Sequence, residues 1–120
     1  MALWPSLLMA KTKSCSIFEA IAQVESNNDD SKLGKAGEVG RYQLTKIYVD
    51  DINRIVGYNK YTYEDRLNPA KCRAMMRIFW AHYKCKTNEE MARKHNGGPS
   101  GMYKPETKVY WNKVRDVLWK

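Results

Sequence analysis

Glu25 is the residue of this chain whose setting best suits acid–base chemistry. It stands four residues after Ile21 and eight after Ile17, so on a helix its side chain emerges from the same stripe that faces the core. Partial burial disfavours a carboxylate and raises its pKa, and a glutamate so placed stays protonated near neutrality and can act as a general acid. The same spacing describes an ordinary solvated glutamate near a helix end, which is the commoner case. The surrounding elements therefore decide whether the acid faces a cleft.

Ser16 followed by Glu19 has the spacing of a capping box, which starts a helix at Ile17 and carries Ile17, Ile21 and Val24 on one stripe. Asn27-Asn28-Asp29-Asp30-Ser31 then reads as a loop, and Gly34, Gly37 and Gly40 punctuate a stretch in which Val39 to Leu44 forms a short strand or a tight loop beside the helix end. Ile47, Tyr48, Ile52, Ile55 and Val56 fall on one face of a second helix that Gly57 is placed to end at its C′ position. A tyrosine-rich loop, Tyr58 to Leu67, follows.

Asn68-Pro69 is a strong helix start, since asparagine caps and proline at the first helical position loses no needed hydrogen bond. The helix runs to about Tyr83, and Cys72, Met75, Met76, Ile78, Phe79 and Trp80 wrap well around it, as expected of a central helix whose methionine and aromatic stripe is core rather than a cofactor box. Thr87 with Glu90 opens a short helix ending near His95, where Asn96-Gly97-Gly98-Pro99 stops it. A last helix from about Glu106 to Trp119 carries Val109, Tyr110, Val114, Val117 and Leu118 on one side.

At 120 residues and 43% hydrophobic composition, the chain suits one globular domain, expected over 14–120 after an N-terminal extension at 1–13. The formal charge of +8 predicts attraction to polyanions, whether nucleic acid, anionic lipid or an acidic wall polymer. The basic residues are scattered, and no helix-turn-helix, zinc or RNA-binding signature accompanies them, so specific nucleic-acid binding is not expected. Cys15, Cys72 and Cys85 allow at most one bridge and lack the paired spacing of a zinc site. No metal or other cofactor is expected. Leu3, Trp4, Leu7, Leu8 and Met9 form an apolar patch, but Pro5 interrupts it and no basic residue precedes it, so no complete signal peptide is read. No segment is long enough for a membrane span.

Several of these segments resemble one family. Glu25-Ser26 looks like the catalytic Glu-Ser that ends the first helix in the lysozyme-like superfamily, which includes soluble lytic transglycosylases, goose-type lysozymes and invertebrate-type (destabilase) lysozymes. Gly40-Arg41-Tyr42-Gln43-Leu44 is similar to its Gly-x-x-Gln-hydrophobic loop lining the sugar cleft, and Asn68-Pro69 to the start of its long central helix. His95-Asn96-Gly97-Gly98-Pro99-Ser100-Gly101 resembles the His-Asn-Gly-Gly-Pro-x-Gly segment of the invertebrate-type enzymes, and Thr107 to Val114 their closing Thr-x-x-Tyr-Trp-x-Lys-Val. The chain departs from the invertebrate type in having only three cysteines, so packing must replace cross-links. It departs from lytic transglycosylases in having His95-Asn96 where they usually have Tyr-Asn.

The resemblance implies an α+β, predominantly helical lysozyme-like fold, with about five helices around a central one and a small β element or loop near residues 34–44. It also implies a monomeric glycosidase that meets peptidoglycan or other N-acetylated glycan chains, secreted or released on lysis, and cuts the β-1,4 bond between N-acetylmuramic acid and N-acetylglucosamine. Glu25 would protonate the leaving oxygen. Asp30 is the expected second carboxylate, with Asp29 its substitute, though both equally suit turn capping. Without a second carboxylate, the lytic transglycosylase route to anhydro products remains. Tyr42, Gln43, His95, Asn96, Gly97, Gly98 and Tyr110 are the expected substrate-binding residues, with Tyr42 or Tyr110 lying against a sugar ring. For Tyr110 a core role, and for His95 a structural one, are equally open.

Overall fold

Side-chain caps set the start of four of the five α-helices found among the described residues, 13–120, in the computed structural model. The expected extension at 1–13 lies, except for Lys13, outside the described residues. Helix α1, Ile17–Ser26, begins where the Ser16 hydroxyl accepts from the Glu19 amide at 3.1 Å. It ends at Asn27, whose φ of 54° is a left-handed conformation that asparagine tolerates better than most residues. Thr45 caps α2, Lys46–Val56, which stops at Gly57 with φ 90°. Asn68 accepts from the Lys71 amide with Pro69 at the first position of α3, Pro69–His82. A full Thr87–Glu90 capping box opens α4, Asn88–Gly97. Helix α5, Pro105–Leu118, starts on a proline without a side-chain cap.

The expected β element between α1 and α2 is reduced to two isolated bridges, Leu33 with Val39 and Val39 with Leu44. Polar side chains brace this loop where ladder bonds do not. The Gln43 amide donates to the carbonyls of Lys32 and Gly40, and the buried Arg66 guanidinium reaches those of Gly37 and Leu44. Gly40, with φ 88°, has no room for a Cβ against the Arg66 carbonyl.

In the core, α5 packs against α1 and α4, while α3 packs against α2. Met75, Met76, Phe79 and Trp80 of α3 place the largest side chains in its middle, and the Phe79 ring lies 4.7 Å from those of both Tyr48 and Tyr83. Two expected core positions are corrected. Ile47 is 80% exposed and Val49 takes its place beside Tyr48 and Ile52, while Val109 is 60% exposed and the buried side of α5 is Thr107, Tyr110, Val114 and Leu118. In both helices the apolar residue lies one step outside the stripe its packing partner covers. The three cysteines are unbridged, and burial pushes the Cys72 thiol up to about 12, which leaves it inert packing. Among the described residues no helix is long and apolar enough to cross a membrane.

Candidate active site

Glu25 is the next-to-last residue of α1, and its side chain is 18% exposed. Its neighbour Ser26 explains how the helix end is held. The Ser26 hydroxyl donates to the Arg41 carbonyl at 2.7 Å and accepts from the Asp29 amide at 3.1 Å, tying the helix to both arms of the following loop. Lys32 Nζ adds a bond to the Glu25 carbonyl at 2.8 Å.

The Glu25 carboxyl meets two residues from distant helices. Tyr110 of α5 donates its hydroxyl to Oε2 at 2.8 Å, and His95 Nε2 of α4 lies 3.5 Å from the same oxygen. Burial raises the Glu25 pKa from 4.5 to about 7, and the negative charge of Glu38 pushes the same way against the Tyr110 bond and the Lys32 charge. The acid is thus largely protonated in mildly acidic and near-neutral solution.

His95 behaves oppositely. Burial lowers its pKa to about 4, so the ring is neutral where Glu25 is protonated, and their 3.5 Å approach is not an ion pair. Nε2 lies 2.9 Å from the Tyr42 carbonyl, which can only accept, so this nitrogen carries the proton. The Nδ1 atom is buried without a partner among the described residues. Together these groups surround one carboxyl that can release a proton and take it back.

No family model matches the chain. Over 85 residues it is 34% identical to a lysozyme of Ostrea edulis, a match covering 69% of this chain and 62% of that one. The chain therefore spans a little under two-thirds of the length of that curated relative. Its fold matches a chain in the crystal structure of Aeromonas hydrophila PliI in complex with Meretrix lusoria lysozyme, with a TM-score of 0.72, 22% identity, and coverage of 90% of this chain and 93% of that one. The chain is thus similar in sequence to a lysozyme over most of its length and shares the fold of that solved chain. The mostly helical arrangement with vestigial β pairing is the lysozyme-like fold.

Against the pattern expected of a lysozyme-like chain, several residues are placed differently. Asp30 forms an ion pair with Arg41 at 2.6 Å, with its side chain 47% exposed. Asp29 is fully exposed and caps its own turn, and bonds from the Ser31 amide and hydroxyl hold its carboxyl below the usual range. Tyr42 cannot lie against a sugar ring, because it is 2% exposed and its hydroxyl accepts from Arg73. Tyr110 is likewise buried, with its hydroxyl bonded to the Glu25 carboxyl. The Gln43 amide nitrogen is taken up by the loop, which leaves only its Oε1 free to face a ligand.

His95, Asn96 and Gly98 line a concavity of about 340 Å³ together with Ile47, Asp51 and Tyr83. Gly97 does not line it; a Cβ there would strike the Thr107 methyl, so this glycine allows α4 and α5 to approach. Glu38 is the residue sequence reasoning missed. It sits in the bridged loop, where its Oε1 accepts from the Ala36 amide at 2.8 Å, and its charge is felt at Glu25. Its only sequence signal is an acid between Gly37 and Gly40, which says nothing about direction.

Proposed function

We propose that this chain is a lysozyme, cleaving the β-1,4 bond between N-acetylmuramic acid and N-acetylglucosamine in peptidoglycan with Glu25 as the general acid. The observation that carries the reading is the buried Glu25 carboxyl with its pKa near 7, held by Tyr110 at the end of α1. General-acid catalysis works best when the donor's pKa lies near the working pH, and cleavage of a glycosidic bond needs a proton on the leaving oxygen as the oxocarbenium-like state forms. The Ostrea edulis relative carries the same name, and the formal charge of +8 favours accumulation on an anionic wall.

Glu38, not Asp30, is the carboxylate we assign to the far side of the bond. It is the acid whose charge acts on Glu25, whereas Asp30 is neutralised by Arg41. His95 would hold the loop beside Glu25, with Asn96 and the free Oε1 of Gln43 meeting sugar hydroxyls or acetamido groups. A second reading, lytic transglycosylation, follows if Glu38 acts on Glu25 only as a neighbouring charge.

Mass analysis of the products released from purified walls tests both. Reducing muramic ends are expected. Anhydro ends would replace the hydrolase reading with the transglycosylase one, and no released product would end both.

A further inference from the structure

Tyr58 stands on a loop whose bracing does not use its side chain. The segment after α2 is pinned from the helix by Asn53, whose Oδ1 accepts from the Lys60 and Tyr61 amides at 3.1 and 3.0 Å and whose Nδ2 donates to the Tyr61 carbonyl at 2.9 Å. The Tyr63 hydroxyl adds a bond to Asp50 Oδ1 at 2.8 Å. Lys46 and Lys60 lie over the rings of Tyr63 and Tyr61, at 5.2 and 5.8 Å. Tyr58 differs from both: its residue is 61% exposed, and its side chain has no hydrogen bond, ring pair or cation contact among the described residues. An aromatic face held on a braced loop and left uncovered is open to a ligand.

The ring borders an open trough. Asp50, Asn53, Arg54, Gly57, Tyr58 and Asn59 line a space of about 460 Å³, and a second of about 340 Å³ shares Asp50, Asn53 and Asn59 and continues to Tyr61 and Tyr63. At Gly57 a Cβ would meet nothing within 4 Å, so the missing side chain adds to the opening. The Asn59 carboxamide has no intramolecular bond among the described residues, Asp50 takes the Tyr63 hydroxyl on Oδ1 only, and Arg54 uses Nε and Nη2 but not Nη1. The lining carries one carboxylate, Asp50, and one guanidinium, Arg54, so the +8 charge of the whole chain is not expressed here. An anionic polymer gains little from such a surface. A neutral chain of rings bearing hydroxyl and amide groups finds an aromatic face beside planar donors and acceptors.

We propose that the Tyr58 trough is a second, non-catalytic binding site for an acetamido-sugar chain. Tyr58 supplies the stacking face, and Asn59, Asp50 and Arg54 bond the hydroxyl and acetamido groups. The trough adjoins the concavity beside His95, because its Arg54 pairs at 2.6 Å with Asp51, which lines that concavity. A chain held in the trough is therefore kept next to the concavity, which raises its effective concentration there. The ligand class rests on the glycan-cleaving reading above, while binding at Tyr58 requires no turnover.

The test uses the full chain carrying Glu25→Gln, titrated with an N-acetylglucosamine oligomer while backbone amide shifts are followed by NMR. The amides of Gly57, Tyr58 and Asn59 are expected to shift to saturation, with the same dissociation constant at low and high salt. Adding Tyr58→Ala should raise the constant read at Asn59 about fivefold, the worth of one stacked ring, and Tyr58→Phe should keep it. The melting temperature should not change, since the exposed side chain holds nothing in place. Amides at 57–59 that stay still on titration overturn the proposal, as does a constant that Tyr58→Ala leaves intact or binding that high salt abolishes. A protein that binds at Tyr58 but releases no product from walls would overturn the glycosidase reading and leave this site standing.

Discussion

Glu25 and Asp30 are acids five residues apart, yet the fold gives them opposite surroundings. Glu25 lies where α1 meets α4 and α5, so a tyrosine 85 residues away bonds its carboxyl and burial lifts its pKa to about 7. Asp30 lies on the loop that leaves α1, where Arg41 reaches it across solvent. The comparison teaches that an acid's chemistry here depends on which helices close over it, not on its proximity in sequence to another acid. Ser26 marks the division, because its hydroxyl fixes the helix end on one side and the loop on the other.

The largest effect should come from Glu25→Gln, which keeps the shape but removes the proton. Turnover on purified walls is expected to fall by roughly 10²–10⁴ or more. The same variant reports the cost of burying the acid. With a folded pKa of about 7 against 4.5 unfolded, the native state keeps a proton that the unfolded chain releases, so stability is full below pH 4.5 and is lost as pH rises through 7. Relative to wild type, Glu25→Gln should therefore gain about 3 kcal/mol at pH 8 and little at pH 4, measured by denaturant unfolding. Equal stability differences at the two pH values would mean that Glu25 is solvated like Asp30.

Glu38→Gln comes next. Turnover should fall roughly tenfold to a hundredfold, and the alkaline limb of the pH profile should move to lower pH, because a charge that raises the Glu25 pKa has gone. A moved limb with full turnover at the optimum would leave Glu38 an electrostatic neighbour only.

Tyr110→Phe removes a bond that lowers the Glu25 pKa, so the alkaline limb should move the other way, to higher pH. Turnover at the optimum should drop roughly fivefold, the worth of one hydrogen bond of about 1 kcal/mol. The smallest effect belongs to Asp30→Asn, expected to change turnover by less than about twofold and stability by about 0–1 kcal/mol, since its ion pair is exposed. A loss approaching that of Glu25→Gln would erase the distinction between the two regions.

The sequence by itself determined the helix starts and stops and the position of Glu25 at the end of α1. Ser16, Thr87, Asn68-Pro69 and Gly57 act on amides and carbonyls within four residues, so their hydrogen bonds are decided by local geometry that spacing records. Broad apolar stripes were legible for the same reason, but their edges were not, and Ile47 and Val109 fell outside because the partner helix, not the periodicity, limits how much is covered. Only the tertiary structure decided what surrounds the acid. Tyr110, His95 and Glu38 act on Glu25 through contacts or charge across separate elements, and it turned Asp30 toward Arg41. Desolvation, the main cause of the raised pKa, depends on the packing of α4 and α5 around α1, and no short-range spacing encodes it.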